Sequence, residues 1–291
     1  MRYKFLLLLK SVFHLSKAGI SFSVALTAVT GYLLSVRYID NSLIPPFLGV
    51  LFLAMAASAL NQLQEKETDK LMPRTSNRPL VNGSLTKKFA IFFIATTAIT
   101  GAGILYIYNG LLPALLGLLN MFWYNGVYTP LKYKTAFAAF PGGIVGAIPP
   151  LIGWTAGGGQ IQHPLAIALA VFFFIGQIPH FWILILKYST EYELAGIKSI
   201  SEKFSVVQIR RLILSWVVAT AFSGIILSYY IILNNNESFY IIHVLSLLII
   251  AYFVYWLLQK SNHLSYKAFL SINIYYLLIM VIIAVDILTV H

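Results

Sequence analysis

Cysteine is absent from this 291-residue sequence, which rules out disulfides, thiolate catalysis and Cys-ligated metal and leaves thiol usage silent about compartment. Charge is scarce as well: Asp, Glu, Lys and Arg make up 10% of the chain, against roughly 25% in soluble domains. Acidic residues are the scarcest, nine against twenty Lys and Arg, so any cluster of carboxylates stands out. No low-complexity linker or compositional break divides the chain, and residues 1–291 read as one polytopic domain. Nor does a small-residue cleavage site follow the short apolar run within residues 1–17. With Arg2, Lys4, Lys10 and Lys17, that stretch suggests an amphipathic lead-in at the cytoplasmic surface and not a cleavable signal.

Hydrophobic residues fill the chain instead, 59% of the total, with a mean hydropathy of +0.82. Apolar runs of about 20 residues, enough to cross a hydrocarbon core of about 30 Å as a helix, recur from end to end. They predict nine transmembrane helices, over residues 19–36, 42–63, 89–108, 111–129, 137–156, 164–186, 206–233, 240–258 and 268–290, hence an all-α integral membrane fold. Basic residues orient these spans. Four precede the first, six lie between Gln64 and Lys88, two are Lys132 and Lys134, five lie between Lys187 and Arg211, and two are Lys260 and Lys267. Only Arg37 falls on the other side, so the positive-inside rule predicts a cytoplasmic N-terminus and an external C-terminus. The net charge of +11 therefore decorates one membrane face, where anionic lipid headgroups and anionic substrates are nearer partners than nucleic acid.

Two cytoplasmic connections, 64–88 and 187–211, are long, and together they hold six of the nine carboxylates. Their offset of four helices hints at an internal duplication. In the first, Asn61, Glu65 and Asp69 recur at i, i+4 and i+8, one face of a helix that continues past the second span. Amide and carboxylate oxygens suit magnesium, which one or two carboxylates and a substrate phosphate commonly hold. Arg74 and Arg78 follow, with the forked geometry that phosphate oxygens favour. A solvated helix end, with the acids paired to Lys66 and Lys70, explains the same residues. Against it, ionisable groups at the end of a membrane span usually face the bundle interior or a wet cavity.

These residues resemble the first motif of the UbiA superfamily of intramembrane prenyltransferases, N-x-x-x-D-x-x-x-D followed by R-T-x-x-R-P. Here it reads Asn61, Glu65 in place of Asp, Asp69, Arg74, Thr75, Arg78 and Pro79. The Glu replacement is also found in the haem O synthase branch. Three further stretches are similar to that branch: M-P-R-T-S-N-R-P-L from Met72, Y-T-P-L-K from Tyr128 with G-A-I-P-P-L-I-G-W-T-A from Gly146, and P-H-F from Pro179 with E-Y-E-L-A-G from Glu191. The chain departs from the branch at Glu191, where Asp is usual, and in Ile197–Ser201 after Gly196.

The resemblance implies a UbiA-type helical bundle in a bacterial inner membrane that transfers farnesyl from farnesyl diphosphate to a vinyl group of haem B, with Mg2+ as cofactor. It implies magnesium ligation by Asn61, Glu65, Asp69 and Glu191. Lys132, Arg74 and Arg78 would contact diphosphate, Tyr128 would be a substrate-binding residue, and His180 would contact the haem. Haem A synthase or oxidase assembly factors would be downstream partners. Other readings stay open: a quinone precursor or other aromatic acceptor, or a non-catalytic haem-handling paralogue. Residue by residue, positive-inside anchoring explains Lys134, interfacial anchoring and packing explain Trp154 and Trp182 with acceptor stacking as the alternative, and a hydrogen-bonded structural role is the alternative for His180. The glycines and prolines of 142–153 suggest a kinked fifth helix in close contact with a neighbour. His163 is expected outside, and Asp286 is expected to find a helix partner.

Overall fold

The computed structural model describes residues 2–259 and 265–289, and among them there is no β-strand. Lys260 of the basic partition and Val290, the expected end of the last span, lie outside the described residues. The helices are α1 (Arg2–Leu15), α2 (Ala18–Val36), α3 (Ile44–Gln64), α4 (Lys66–Asp69), α5 (Lys87–Asn109), α6 (Leu111–Phe122), α7 (Thr129–Leu131), α8 (Ala139–Ala156), α9 (Pro164–Leu194), α10 (Val206–Tyr230), α11 (Asn236–Leu258) and α12 (Ser265–Leu288). Eight of them, α2, α3, α5 and α8 to α12, are long and apolar enough to cross a membrane.

Of the nine expected spans, the one over 111–129 is not among these eight: it is divided, and its α6 is only 12 residues long. Between α6 and α7 the chain widens into a π-helical segment, Trp123–Tyr128, in which Thr129 N–H reaches back to Tyr124 O. Pro130 supplies the reason. Its ring would press on the carbonyl of Gly126 one α-turn earlier, and the wider turn relieves that contact.

Packing follows chain order. α2 lies against α3 and α8, α3 against α5, α8 against α9, and α9 against α10, while α12 contacts both α9 and α2 and closes the bundle. The α2–α8 crossing requires glycine: a Cβ at Gly31 would stand 1.9 Å from Pro150 O, and one at Gly153 would stand 1.7 Å from Ala28 O. Pro149 and Pro150 lie inside α8 at this contact, as the glycine and proline run suggested. Large apolar side chains such as Phe92, Ile99 and Ile107 on α5 and Leu247 and Leu248 on α11 stay exposed, the surface that acyl chains cover in a multi-pass membrane protein. Asp286 is fully buried, and its partners are the first residues before α11: Asn234 N–H donates to Oδ2 at 2.8 Å and Asn235 N–H to Oδ1 at 3.1 Å.

Candidate active site

The helical path of α3 carries into α4 with only Glu65 off helical geometry (φ −99°, ψ 10°). Glu65 N–H bonds Asn61 O at 3.0 Å and Asp69 N–H bonds Glu65 O at 2.7 Å, so the i, i+4, i+8 register survives. Asn61, Glu65 and Asp69 are all buried, which rules out the solvated helix end; the exposed Glu67 is the acid that pairs with Lys70.

Both carboxylates of this face are matched by a cation. Arg78 donates to Asp69 Oδ2 at 2.5 Å, and Lys132 from the turn after α7 forms an ion pair with Glu65 Oε1. Burial pushes the Asp69 carboxyl above its usual range, with Arg78 pulling it back. Asp69 Oδ1 is buried with no hydrogen-bond partner. An unpaired carboxylate oxygen in a dry site is costly unless a proton or cation meets it.

The second loop approaches through Glu191, which accepts from the backbone N–H of Arg74 at 3.2 Å. The Arg74 guanidinium lies 4.5 Å from the ring centre of Tyr188, the residue at which α9 breaks from helical geometry. Among the described residues no three His, Asp or Glu side chains gather into a metal-binding group, so Glu191 does not complete a trio with Glu65 and Asp69. Gly196, at a positive φ of 68°, ends this arm, and Lys198 N–H then donates to Lys132 O at 3.0 Å.

Tyr128 and His180 stand in an aromatic file. Ring centres run from Tyr124 to Tyr128 at 5.7 Å, to Phe181 at 5.4 Å, to His180 at 5.9 Å and on to Phe269 at 4.6 Å. Gly142 makes room for it, since a Cβ there would meet Tyr128 at 2.8 Å. Trp182 is buried against Phe140 and Trp216, and Trp154 donates to Gln160 O at 2.9 Å; both are packing residues.

Sequence reasoning missed three participants. Lys17 donates to Asn61 Oδ1 at 3.0 Å from the α1–α2 break, where it takes a left-handed conformation with φ 43°. Burial, aided by Arg78, pulls its ammonium down to about 7, with Glu65 opposing. Thr129 Oγ1 accepts from Asn61 Nδ2 at 3.3 Å. Tyr133 donates to Glu65 Oε1 at 3.1 Å, and burial raises its phenol well above the ordinary range. Lys17, Arg74 and Arg78 also line a cavity of about 490 Å3 between the end of α1 and the 74–79 loop. With two arginines, Lys17 and no carboxylate among its lining residues, it favours an anion.

The donor set is all oxygen: two buried carboxylates, one of them with an unpaired oxygen, and an amide. That fits magnesium, which completes its coordination with water and substrate phosphate.

Residues 24–279 match the model of the UbiA prenyltransferase family. The chain is 36% identical to the protoheme IX farnesyltransferase of Oleidesulfovibrio alaskensis over 187 residues, 64% of this chain and 65% of that protein. It is 40% identical to the protoheme IX farnesyltransferase of Geobacter sulfurreducens over 173 residues, 59% of this chain and 63% of that protein. These matches span a little under two thirds of the two relatives. The fold is similar to that of a UbiA homologue from Archaeoglobus fulgidus bound to GPP and Mg2+, with a TM-score of 0.70 at 17% identity over 95% of this chain and 99% of that one. The helical bundle and the family match from residue 24 to residue 279 agree, and the chain belongs to the UbiA prenyltransferase family.

Proposed function

We propose that the protein, as one domain, transfers farnesyl from farnesyl diphosphate to a vinyl group of haem B, giving haem O. The observation that carries this reading is the buried pairing of Glu65 with Lys132 and of Asp69 with Arg78, beside an unpaired Asp69 oxygen. Such matched charges suit a site that takes up a metal and an anion together. The names of the relatives support the acceptor.

Asn61, Glu65 and Asp69 would hold magnesium, which would supply charge neutralisation for the departing diphosphate, while Glu191 braces the first motif loop through the Arg74 backbone. Lys132, Arg74 and Arg78 take the diphosphate oxygens. When the C1–O bond breaks, the diphosphate keeps the electron pair and farnesyl C1 becomes an allylic cation. The vinyl π electrons form the new C–C bond, and water adds to the resulting cation with loss of a proton, leaving a hydroxyethylfarnesyl substituent. The apolar bundle keeps water from the allylic cation before transfer. Tyr128 and His180 hold the acceptor, His180 touching the haem. Haem is the substrate here and not a prosthetic group. The reading sets the enzyme in the bacterial cytoplasmic membrane with both motif loops inside.

The test is to incubate purified, detergent-solubilised protein with magnesium, farnesyl diphosphate and haem B and to follow the haem mass. A farnesyl-hydroxyethyl haem is expected, absent with Asp69→Ala, and unchanged haem from a folded preparation overturns the assignment of acceptor. Asp69→Ala should also abolish magnesium-dependent diphosphate release while inserting normally; retained turnover removes Asp69 from its role.

A further inference from the structure

Two donors meet on one oxygen of Glu65. The Tyr133 hydroxyl lies 3.1 Å from Oε1, which also accepts from the Lys132 ammonium. Thr68 Oγ1 is 3.2 Å from the same phenol. Tyr133, like Tyr192, packs against the cluster of Met72 from the first motif loop and Ala195 and Ile197 from the second. The backbone bond from Lys198 N–H to Lys132 O pins this turn to the second loop as well. Tyr133 thus has a fixed seat, whereas the neighbouring Lys132 has a long, flexible stem.

A carboxylate oxygen has two lone pairs. At Glu65 Oε1 one meets a neutral phenol and the other an ammonium. A divalent cation at Glu65 would compete with the ammonium, because two positive charges on one carboxylate repel. It has no such quarrel with a neutral O–H. Lys132, once displaced, carries its charge to the incoming anion.

We propose, resting on the metal–diphosphate reading above, that Tyr133 is a positioning residue: it keeps Glu65 aimed at its cation while Lys132 passes from Glu65 to the substrate diphosphate. Metal and diphosphate then bind cooperatively, since each completes the exchange that the other begins.

The experiment is titration calorimetry of magnesium into purified protein, with and without saturating inorganic pyrophosphate. Wild type should bind magnesium more tightly when pyrophosphate is present. Tyr133→Phe keeps the ring and its packing. It should weaken magnesium binding in the presence of pyrophosphate about tenfold, the scale of one hydrogen bond to a charged group, with the melting temperature and the metal-free pyrophosphate affinity unchanged. Lys132→Gln should move oppositely, binding magnesium alone more tightly and pyrophosphate more weakly. Wild-type magnesium affinity in Tyr133→Phe, or a lowered melting temperature with that affinity intact, overturns the positioning role and leaves the proposed function standing. If Lys132→Gln binds magnesium alone no more tightly than wild type, the exchange falls. Failure of wild type to bind magnesium and pyrophosphate together overturns the proposed function itself.

Discussion

At Asp69 burial and charge oppose each other: the side chain is 1% exposed, yet Arg78 holds one of its oxygens at 2.5 Å. Removing one partner of a buried ion pair leaves the other charge without compensation, at a cost of about 3–5 kcal/mol. Arg78→Gln should therefore lower the melting temperature in detergent without metal, and magnesium should recover part of the loss because a divalent ion restores the missing charge. A variant as stable as wild type without metal would mean that Asp69 is not ionised in the fold. His180 occupies a different place, at the far end of the aromatic file and against Phe269 of α12. His180→Ala should impair haem use more than farnesyl diphosphate binding, measured as separate KM values; an unchanged haem dependence removes it from the site. The Asn61, Glu65, Asp69 face was legible in the sequence because helical register survives the off-helix geometry at Glu65. Lys17 and Tyr133 were not, since they lie 44 and 68 residues from the side chains that they contact. No local spacing encodes such pairs.

Single elements set the site by departing from ideal geometry. The π-helical segment Trp123–Tyr128 presents Thr129 to Asn61, and Asn125 locks it to α3: its Nδ2 donates to Ala57 O at 3.0 Å and to Gln64 Oε1 at 3.1 Å, while Gln64 Nε2 donates to Asn125 O at 3.0 Å. Asn125→Ala removes both side-chain bonds and leaves a buried acceptor short of a donor. Thermal unfolding in detergent should report a loss of about 1–3 kcal/mol, with weaker magnesium–pyrophosphate binding as Thr129 shifts. Full stability would mean that the segment holds its shape without α3. Hydropathy marked 111–129 as one uniform span and missed its division, because an average over an apolar window is blind to where Pro130 forces the turn to widen. The break in α9 at Tyr188, three residues before Glu191, was equally invisible. By contrast the Gly31–Pro150 and Gly153–Ala28 approaches follow from residue size alone, and the glycines of 142–153 announced close packing before any contact was known. The stretch after Gly196 is where the sequence departs from the branch it resembles. It folds as a capped turn, with Ser199 N–H bonding Glu202 Oε1 at 3.2 Å and Lys198 bonding back to Lys132.

Across the whole molecule, sidedness decides which compartment would supply the proposed diphosphate. The carboxylates, Lys132, Arg74 and Arg78 gather at one end of the bundle, and their loops carry most of the Lys and Arg. Arg37, the lone basic residue assigned to the other side, donates instead to Ile232 O and to Asn234 Oδ1 beside Asp286. That contact ties α2 to the α10–α11 loop and occupies the charge locally, so it offers little weight against cytoplasmic retention of the basic loops. The absence of cysteine makes the orientation directly measurable, because a single introduced thiol is the only one to label. Ser84 and Gln160 are exposed and lie in connections at opposite ends of the bundle. In intact cells a membrane-impermeant maleimide should leave Ser84→Cys unlabelled and modify Gln160→Cys, and permeabilisation should open Ser84→Cys to the reagent. The reverse pattern would place the carboxylate face outside, where a diphosphate made in the cytoplasm could not reach it without transport.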